Sequence, residues 1–317
     1  MHVLVTGANG FVGGALAARL RAEMDADRTA ADNLTLLDVG PPKQAPGDGR
    51  IRTLQGSIAD EAALAQAFDA TVDVIFHLAS IPGGMAEQDY ELARDINLTG
   101  TQCLLEAARR QALAGGVPPV FVFASTIGVF APPLPPVVDD TTPPNPGMTY
   151  GAQKLMGEIL VGDFSRRGWV DGRSVRLPGV LARPPEPTGQ ASAFLSDIIR
   201  EVAAGRSFVC PTSPQATTWA SSVQNVVDNL LHAARVPVSR LGNRRTFTLP
   251  ALRFSMVELV AAVGRVHDVP AEELVTWEPD PRREALFGRF PELATPAADR
   301  AGFRHDGDLA TLVRCAL

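Results

Sequence analysis

The sequence predicts an α/β fold, a doubly wound parallel sheet followed by a smaller C-terminal lobe. Two observations predict it: short apolar, β-branched segments alternate with longer helical patterns, and a glycine-rich turn joins the first strand to the first helix. With 317 residues, 45% of them hydrophobic, the chain is long enough for one large domain and a small lobe. We expect the sheet domain over residues 1–178 and the lobe mainly over residues 179–317, with one or two elements returning to the sheet.

The alternation defines the individual elements. Six strands are predicted: Val3 to Thr6, Leu34 to Leu37, Ile51 to Leu54, Val72 to Leu78, Val120 to Ala124, and Ser174 to Leu177. Four helices are predicted between them: Phe11 to Met24, Ala59 to Phe68, Glu87 to Leu113, and Tyr150 to Arg167. Beyond Pro178 the alternation stops, and proline-rich loops separate helical patterns near Ala193 to Ala204, Val223 to Ala234 and Ser255 to His267.

Composition excludes several classes of protein. The net charge of -6 is spread along the chain, so no basic cluster indicates nucleic acid or an anionic membrane. The three cysteines, scattered along the chain, provide neither a disulfide framework nor metal-ligand spacing. No apolar segment approaches the roughly 20 residues that span a bilayer. We therefore expect a soluble cytoplasmic protein with a small-molecule partner and no metal.

The glycine-rich turn predicts a phosphate-binding site. Directly after the first strand, the chain reads TGANGFVG over residues 6–13 and then enters a helix, so a pyrophosphate would meet exposed N–H groups at the helix start. Many glycine turns bind nothing, but the strand and helix on either side favour a Rossmann dinucleotide site. The residues expected to contact the cofactor here are Gly7, Asn9, Gly10, Phe11, Val12 and Gly13.

Asp38, at the end of the second strand, predicts which dinucleotide binds. A carboxylate at that point accepts hydrogen bonds from both hydroxyls of the adenosine ribose and repels a 2′-phosphate. No arginine follows within residues 39–42, so NAD is favoured over NADP. The alternative is that Asp38 is an ordinary acidic loop residue without a role in cofactor binding. Further cofactor contacts are expected near the adenine and along the fourth strand, at Ser57, Ile58, Leu78, Ala79 and Ser80. His77 is predicted to be a hydrogen-bonded structural histidine.

Tyr150 and Lys154 form the candidate chemical centre. Four residues apart on a helix, they share one face and reach the same reacting oxygen. A tyrosine with an ordinary pKa of about 10 is a poor base near neutrality, and a close cation lowers that pKa. Taken alone, such a pair arises often by chance on a helix surface. Two further elements strengthen it: the hydroxyl pair Ser125-Thr126 that ends the fifth strand, and Asn97 in the preceding long helix.

Together these motifs resemble the extended short-chain dehydrogenase/reductase family, also called the NAD-dependent epimerase/dehydratase family, along essentially the whole chain. The matching segments are TGANGFVG, Asp38, HLAS at residues 77–80, DINLTGT at residues 95–101, Ser125-Thr126 with Val129-Phe130, Tyr150 to Lys154, and RLPGVLARP at residues 176–184. The resemblance implies NAD as cofactor and catalytic roles for Tyr150, Lys154, Thr126 and Asn97.

The same resemblance implies further contacts and an assembly. It makes Tyr150 the general base, lets Thr126 polarise the substrate oxygen, and gives Asn97 a water-linked path to Lys154. The residues expected along the nicotinamide half of the cofactor are Asn97, Ser125, Tyr150, Lys154, Pro178 and Val180. In many relatives the two long helices form a four-helix contact, so a homodimer is expected.

Departures from the family pattern bear on the reaction. Nucleotide-sugar members usually carry an Arg-Asp-aromatic segment, whereas residues 217–222 read TTWASS, and the Asp-Glu pair of dehydratases is replaced by Ile127-Gly128. The segments at residues 133–140, 163–178 and 196–200 resemble a narrower branch, the D-erythronate dehydrogenases, which oxidise a four-carbon sugar acid at C2. A nucleotide-sugar epimerase and a non-catalytic dinucleotide sensor stay open as alternatives.

The substrate contacts follow from the same resemblance. Arg183 and Arg200 are the candidate partners of a substrate carboxylate, and each is equally an ordinary surface arginine. Phe194 and Trp219 either wall a small pocket or pack in the lobe. Gly179 stands where a hydroxyl residue would be unsurprising. The full set of expected substrate contacts is Ser80, Gly84, Met85, Thr126, Tyr150, Gly179, Arg183, Phe194 and Trp219.

Overall fold

The chain divides into two compact units. The computed structural model describes residues 1–41, 43, 49–185 and 192–317. Unit 1 comprises Met1–Thr126, Met148–Arg176 and Leu230–Phe247, and unit 2 comprises Ile127–Gly147, Leu177–Asn229 and Thr248–Leu317. Residues 127–147 therefore belong to unit 2 and residues 230–247 to unit 1, while the expected division at residue 178, with one or two later elements returning to the sheet, remains a prediction.

The strands over the described residues alternate with helices in unit 1 and are mostly short in unit 2. They are β1 (His2–Thr6), β2 (Asn33–Asp38), β3 (Ile51–Gln55), β4 (Val74–His77), β5 (Val120–Thr126), β6 (Val137–Val138), β7 (Asp171–Leu177), β8 (Gly179–Leu181), β9 (Phe208–Cys210), β10 (Thr217–Ser222), β11 (Thr246–Thr248), β12 (Leu252–Ser255), β13 (Val275–Trp277) and β14 (Glu292–Leu293).

The α-helices are longest around the large sheet and shorter toward the C-terminus. They are α1 (Phe11–Asp25), α2 (Glu61–Ala67), α3 (Gly83–Gln88), α4 (Tyr90–Arg94), α5 (Thr101–Leu113), α6 (Thr149–Arg166), α7 (Phe194–Ala203), α8 (Val223–Arg235), α9 (Val238–Leu241), α10 (Met256–His267), α11 (Ala271–Leu274), α12 (Pro281–Phe287), α13 (Pro296–Ala301) and α14 (Leu309–Ala316). A π-helical turn over Asp95–Gly100 joins α4 to α5. Within the described ranges, no helix is long and apolar enough to cross a membrane.

Unit 1 is built on a seven-stranded sheet with the order β11-β7-β5-β4-β1-β2-β3. β1 pairs in parallel with β2 and β4, and the pairs β2–β3 and β4–β5 are parallel as well. The central strands β1 and β4 are mostly apolar and are buried along their whole length, as is typical of strands covered on both faces. The predicted α/β class with a doubly wound sheet is therefore confirmed. The seventh strand, β11, was not predicted because it is only three residues long.

The prediction of one continuous helix over Glu87 to Leu113 is wrong. The chain forms α3 and α4 separately, because Asp89 leaves the helical conformation at φ -130° and ψ 85° and its carboxylate accepts a hydrogen bond from Leu92 N–H to start α4. The π-helical turn then follows, with Gly100 packed so closely against Ile58 that a Cβ would lie 2.7 Å from the Ile58 Cγ1 atom. Sequence periodicity predicts helix for all these segments and does not report the breaks.

Unit 2 contains a three-stranded sheet, β12-β10-β8, and two pairs of short strands, β13-β9 and β14-β6. β10 lies parallel to β8 and antiparallel to β12. Its core joins apolar residues of α7, α10 and α14 with those of the three-stranded sheet. The helices α7, α8 and α10 were predicted, with ends within about two residues.

Candidate active site

The strands of unit 1 bring the predicted motifs to one edge of the sheet. β1, β2, β4 and β5 are parallel, and they end at Thr6, Asp38, His77 and Thr126. The carboxyl ends of parallel strands lie at the same edge, which is where ligands bind in open α/β sheets. The edge therefore carries the glycine turn, the acidic residue and the hydroxyl pair together.

The glycine turn has no room for side chains. Gly7 adopts φ +71°, and a Cβ there would lie 2.6 Å from the backbone nitrogen of Ala79, two residues after β4. At Gly13 a Cβ would lie 2.0 Å from the carbonyl oxygen of Gly7. Gly10 N–H donates to the same oxygen over 3.1 Å, and no side chain of the described residues caps the N-terminus of α1. These are the features that an anion at a helix start requires.

Asp38 is held at the end of β2 by two backbone bonds. Its carboxylate accepts an N–H from Asn9 and another from Gly40, both over 2.9 Å. The side chain of Asn9 in turn donates to the carbonyl oxygens of Gly40 and Pro41. The turn after β1 and the end of β2 are thereby tied into one surface, with free lone pairs left on the carboxylate.

A small cleft opens beside this carboxylate. It is lined by Ala8, Asn9, Leu36, Asp38, Gly40, Lys43, Thr53 and Leu54. Its acidic floor and the tight glycine turn fit the adenosine and pyrophosphate groups of a dinucleotide. Lys43 Nζ donates to the Asn9 carbonyl oxygen over 3.0 Å, so this cation lies on the rim of the cleft. It directly follows residues 39–42, which contain no arginine.

The other predicted cofactor contacts of unit 1 lie just after the ends of β3 and β4. Leu78, Ala79 and Ser80 follow β4 and are half-buried, and the backbone N–H groups of Leu78 and Ala79 point to Thr6. The side chain of Ile58 is buried against the π-helical turn. The hydroxyl of Ser57 accepts a hydrogen bond from Ala59 N–H.

Tyr150 and Lys154 share one face of α6, as their spacing predicts. Tyr150 is the second residue of the helix, and Lys154 Nζ lies 5.7 Å from the centroid of its ring. The same Nζ lies 4.8 Å from the ring centroid of Phe123 on β5. Gly157 allows this approach of helix and strand, because a Cβ there would lie 2.5 Å from the Phe123 ring.

Burial shifts the acid–base properties of Lys154. Its side chain is 2% exposed, and desolvation lowers the pKa of its ammonium group from 10.5 to about 7. The negative charge of Glu158, four residues further along α6, acts in the opposite direction and raises that pKa. Lys154 therefore titrates near neutral pH, where a proton-transfer partner is most effective.

Ser125 makes its contact within the protein. Its buried hydroxyl donates to Glu158 Oε1 over 2.5 Å. Arg176 on β7 donates to both carboxylate oxygens of Glu158, from Nε over 2.9 Å and from Nη2 over 2.7 Å. The expected position of Ser125 along the cofactor remains a prediction.

The side chain of Asn97 is engaged on three sides. Its amide oxygen accepts the Ile81 N–H over 2.8 Å, and its amide nitrogen donates to the Ile81 carbonyl oxygen and to Gln153 Oε1. Gln153 precedes Lys154 on α6, so Asn97 is tied to the same helix as the Tyr-Lys pair. Sequence reasoning predicted Asn97 and missed Gln153.

His77 is a structural histidine with a defined tautomer. Thr101 donates its hydroxyl to the Asn97 carbonyl oxygen, so it can only accept from His77 Nε2, 2.9 Å away. His77 Nδ1 then accepts from the Thr6 hydroxyl over 2.8 Å. Full burial holds the pKa of the imidazole well below its usual value, and the nearby Lys154 charge lowers it further.

The candidate substrate contacts fall in both units. In unit 1, Thr126 ends β5, Gly84 and Met85 lie in α3, and all three are half-buried. In unit 2, Pro178 precedes β8, while Gly179 and Val180 lie within it. A Cβ at Gly179 would lie 3.1 Å from the Trp219 carbonyl oxygen, which explains glycine at this position.

The remaining unit 2 candidates are engaged internally. Trp219 is 0% exposed, packs edge-on against Phe290 and donates its indole N–H to the Pro291 carbonyl oxygen. Phe194 is buried in the core of the unit. Arg200 pairs with Asp197 and donates to the carbonyl oxygen of Arg183.

Sequence reasoning missed Glu158, and treated Arg176 only as part of a motif. The signal was present, because residues 150, 154 and 158 repeat at four-residue spacing and so share a helix face. In the part of the chain that the structure describes, no group of three or more His, Cys, Asp or Glu residues is arranged to hold a metal ion.

Known proteins resemble this chain over almost its whole length. The profile of the NAD dependent epimerase/dehydratase family matches residues 3–244. D-erythronate dehydrogenase of Cupriavidus necator is 39% identical over 321 residues, covering 99% of this chain and 97% of that protein. D-erythronate dehydrogenase of Haemophilus influenzae is 33% identical over 316 residues, covering 99% and 98%. The crystal structure of a nucleoside-diphosphate-sugar epimerase from Agrobacterium tumefaciens, 32% identical, superposes with a TM-score of 0.91 and covers 99% of this chain and 92% of that one.

Proposed function

This chain belongs to the NAD dependent epimerase/dehydratase family, and we propose that within it the chain is an NAD-dependent dehydrogenase that oxidises a secondary alcohol of a small sugar acid. The substrate class is that of the two D-erythronate dehydrogenases, which align with the chain from end to end. The product of oxidation at C2 is a 2-keto acid.

The observation that carries the proposal is the Tyr150–Lys154 pair on α6, in which Lys154 is buried and Tyr150 is half-buried. Lys154 Nζ lies 5.7 Å from the Tyr150 ring, in surroundings that exclude most water. An ammonium group at this place stabilises the phenolate of Tyr150 more strongly than it would in bulk water. Tyr150 then accepts the proton of the substrate hydroxyl. When bound, NAD supplies the acceptor for the hydride that leaves the same carbon.

The cofactor is held by the edge of the sheet in unit 1. The start of α1, with Gly7 and Gly10 before it and Gly13 in its first turn, takes the pyrophosphate, and Asp38 takes the hydroxyls of the adenosine ribose. Ser57, Ile58 and residues 78–80 line the path of the dinucleotide. The family resemblance assigns Ser125 of unit 1, and separately Pro178 and Val180 of unit 2, to the nicotinamide half of the cofactor.

Thr126 binds the substrate oxygen in this proposal, because it ends β5 at the same sheet edge as the cofactor motifs. The other residues that the family resemblance assigns to the substrate are Ser80, Gly84 and Met85 of unit 1 and Gly179 of unit 2. Arg183 and Arg200, the nearest cations by sequence order, are the candidate partners of the substrate carboxylate in this proposal, and Arg200 also pairs with Asp197. Phe194 and Trp219, which are buried, shape the lobe from inside.

A nucleotide-sugar epimerase is the second candidate, favoured by the similarity to the Agrobacterium tumefaciens structure. Against it, the segment that would carry an Arg-Asp-aromatic signature is β10, whose residues TTWASS contain neither an arginine nor an acid. Most of this strand is buried. A non-catalytic dinucleotide sensor is disfavoured because Tyr150, Lys154 and Thr126 are all present.

The test is NADH formation, followed by absorbance, with NAD and a panel of free aldonic acids that includes D-erythronate, and with NADP in parallel. We expect turnover with NAD, and a loss of about 100-fold or more in kcat/KM for Tyr150→Phe. The matched control is Tyr90→Phe, which changes the other tyrosine of the chain, exposed and outside the site, and retains activity. Tight binding of a UDP-, GDP- or dTDP-sugar without oxidation of any acid would instead identify an epimerase, and NAD binding without any turnover a sensor.

We also propose a homodimer and a cytoplasmic location. The helices α5 and α6 are the expected contact, and Met156 and Ile159 are apolar and exposed on α6. Three free cysteines suit a reducing compartment. Sedimentation that finds only monomer would remove the dimer, and cell fractionation tests the location.

A further inference from the structure

We propose that Glu158 is a positioning residue that keeps Lys154 in its ammonium form, from a place fixed by Arg176 and Ser125. Glu158 lies four residues beyond Lys154 on α6, so the two side chains share a helix face. The proposal rests on the function proposed above, because it matters only if Tyr150 works as a base. It adds to the Tyr-Lys pair a third residue that does not itself touch the substrate.

The carboxylate of Glu158 is held from two neighbouring strands. Ser125 at the end of β5 donates to Oε1 over 2.5 Å, and Arg176 near the end of β7 donates to both oxygens. The side chain of Glu158 is 4% exposed and that of Arg176 13% exposed. A buried, bidentate pair with a third hydrogen bond holds the carboxylate in one orientation.

The groups around Lys154 make Glu158 its counter-charge. Phe123 of β5 faces the ammonium with its ring, and Tyr150 lies one helical turn before it. His77 at the end of β4 is neutral, since burial lowers its pKa well below the usual value. The negative charge of Glu158 acts on Lys154 and raises the pKa of its ammonium group.

One carboxylate therefore serves two cations. Arg176 is always charged and holds the Glu158 carboxylate in place. The part of the carboxylate's electrostatic field that Arg176 does not offset acts on Lys154. Without the negative charge, desolvation alone would act on Lys154, and the amine would lose its proton at lower pH. A neutral amine does not stabilise the phenolate of Tyr150. The proton shared by the pair would then stay on the phenol oxygen, and Tyr150 would be a weaker base.

The chain offers a direct measurement of this effect, because it contains two tyrosines, Tyr90 and Tyr150. In a Tyr90→Phe background the ultraviolet absorbance of tyrosinate reports Tyr150 alone, without substrate or NAD. We compare Glu158→Gln, which removes the charge and keeps the shape, with Glu158→Asp, which keeps the charge and shortens the reach. Tyr150→Phe in the same background gives the blank.

The proposal expects the pH of tyrosinate formation to rise by about one unit or more in Glu158→Gln, and to stay close to the parent in Glu158→Asp. A purely structural Glu158 predicts the reverse order, because aspartate disturbs the bond to Arg176 more than the isosteric glutamine does. Equal shifts in both variants, or none in Glu158→Gln, would overturn the proposal.

If Glu158→Gln does not fold, Arg176→Gln tests the same point. It leaves Lys154 as the nearest cation for Glu158, so tyrosinate should form at lower pH than in the parent, and an unchanged or higher value would contradict the proposal. Because the titration needs no substrate, its outcome stands even if the chain oxidises none of the acids tested, so the two failures are distinguishable.

Discussion

The side chain of Asn97 donates an N–H to Gln153 Oε1 over 2.7 Å, and the backbone of Ile81 determines which way both amides point. Ile81 offers one N–H and one carbonyl oxygen to Asn97, so the Asn97 amide has a single satisfactory orientation. That orientation in turn requires the oxygen of Gln153 to face Asn97. The relationship ties the π-helical turn to α6, one residue before Lys154.

A double-mutant cycle measures this coupling. Asn97→Ala and Gln153→Ala should each lower the free energy of unfolding by about 1–3 kcal/mol, since each leaves buried polar groups unpaired. The double variant should lose less than the sum, with a coupling of about 0.5–3 kcal/mol in urea unfolding. Gln111→Ala is the control substitution, because the Gln111 amide bonds to the backbone of Val72 and not to Asn97. The effects of Gln111→Ala and Asn97→Ala on the free energy of unfolding should therefore be additive. Additivity at Asn97 and Gln153 would contradict the network.

The glycine turn predicts opposite effects for two adjacent glycines. Gly13→Ala would bring a Cβ to 2.0 Å from the Gly7 carbonyl oxygen, and so should destabilise unit 1 and weaken NAD binding together. Gly14→Ala meets nothing nearer than the Ala8 carbonyl oxygen at 3.6 Å and should raise the free energy of unfolding by up to about 1 kcal/mol through helix propensity. Urea unfolding and NAD titration calorimetry check both. Equal tolerance at both positions would show that the turn relaxes freely.

Asp38 should control both the affinity for NAD and the choice of cofactor. Asp38→Asn removes a charged acceptor of the ribose hydroxyls, so the Kd for NAD should rise about tenfold, equivalent to about 1.4 kcal/mol, while NADP binding improves. Lys43 on the rim of the cleft helps to accept the 2′-phosphate in this variant. Asp25→Asn, an exposed carboxylate paired with Arg50, is the control and should change neither Kd. An unchanged ratio of NAD to NADP affinity would contradict the assignment.

Lys154→Met should stabilise the folded protein at neutral pH and lower its activity. The folded-state pKa of about 7 lies below the unfolded value of 10.5, so between these pH values the unfolded chain binds a proton that the folded chain does not. This contribution makes the folded state more stable as pH rises through that window, and least favoured at or below pH 7. Methionine does not titrate, so Lys154→Met removes this contribution to the dependence of stability on pH.

We therefore expect Lys154→Met to have a higher Tm than the parent at neutral pH and a loss of activity of about 100-fold or more. Thermal unfolding between neutral and alkaline pH checks the first, and NADH formation the second. The control is Lys43→Met, because Lys43 is exposed and its substitution should leave the dependence of stability on pH unchanged. A lower Tm for Lys154→Met at neutral pH would show that the ammonium group stabilises the fold.

Several features of the molecule could be predicted because they depend on local pattern. The alternation of strands and helices predicted the α/β sheet, and the motifs from TGANGFVG to Tyr150–Lys154 predicted the family and an NAD-dependent oxidoreductase, all of which are confirmed. The individual site residues remain predictions. The break at Asp89 and the π-helical turn were not predicted, because the sequence periodicity is helical on both sides of each.

The sequence by itself determined that a tyrosine and a lysine share a helix face, since the spacing of residues 150 and 154 allows nothing else on a helix. Only the tertiary structure decided the charge state available to that pair. Lys154 is desolvated because Gly157 lets α6 lie against Phe123, and Glu158, whose charge acts on Lys154, is held in place by Ser125 of β5 and Arg176 of β7. Burial and electrostatic fields are sums over residues distant in the chain, and no local pattern encodes them.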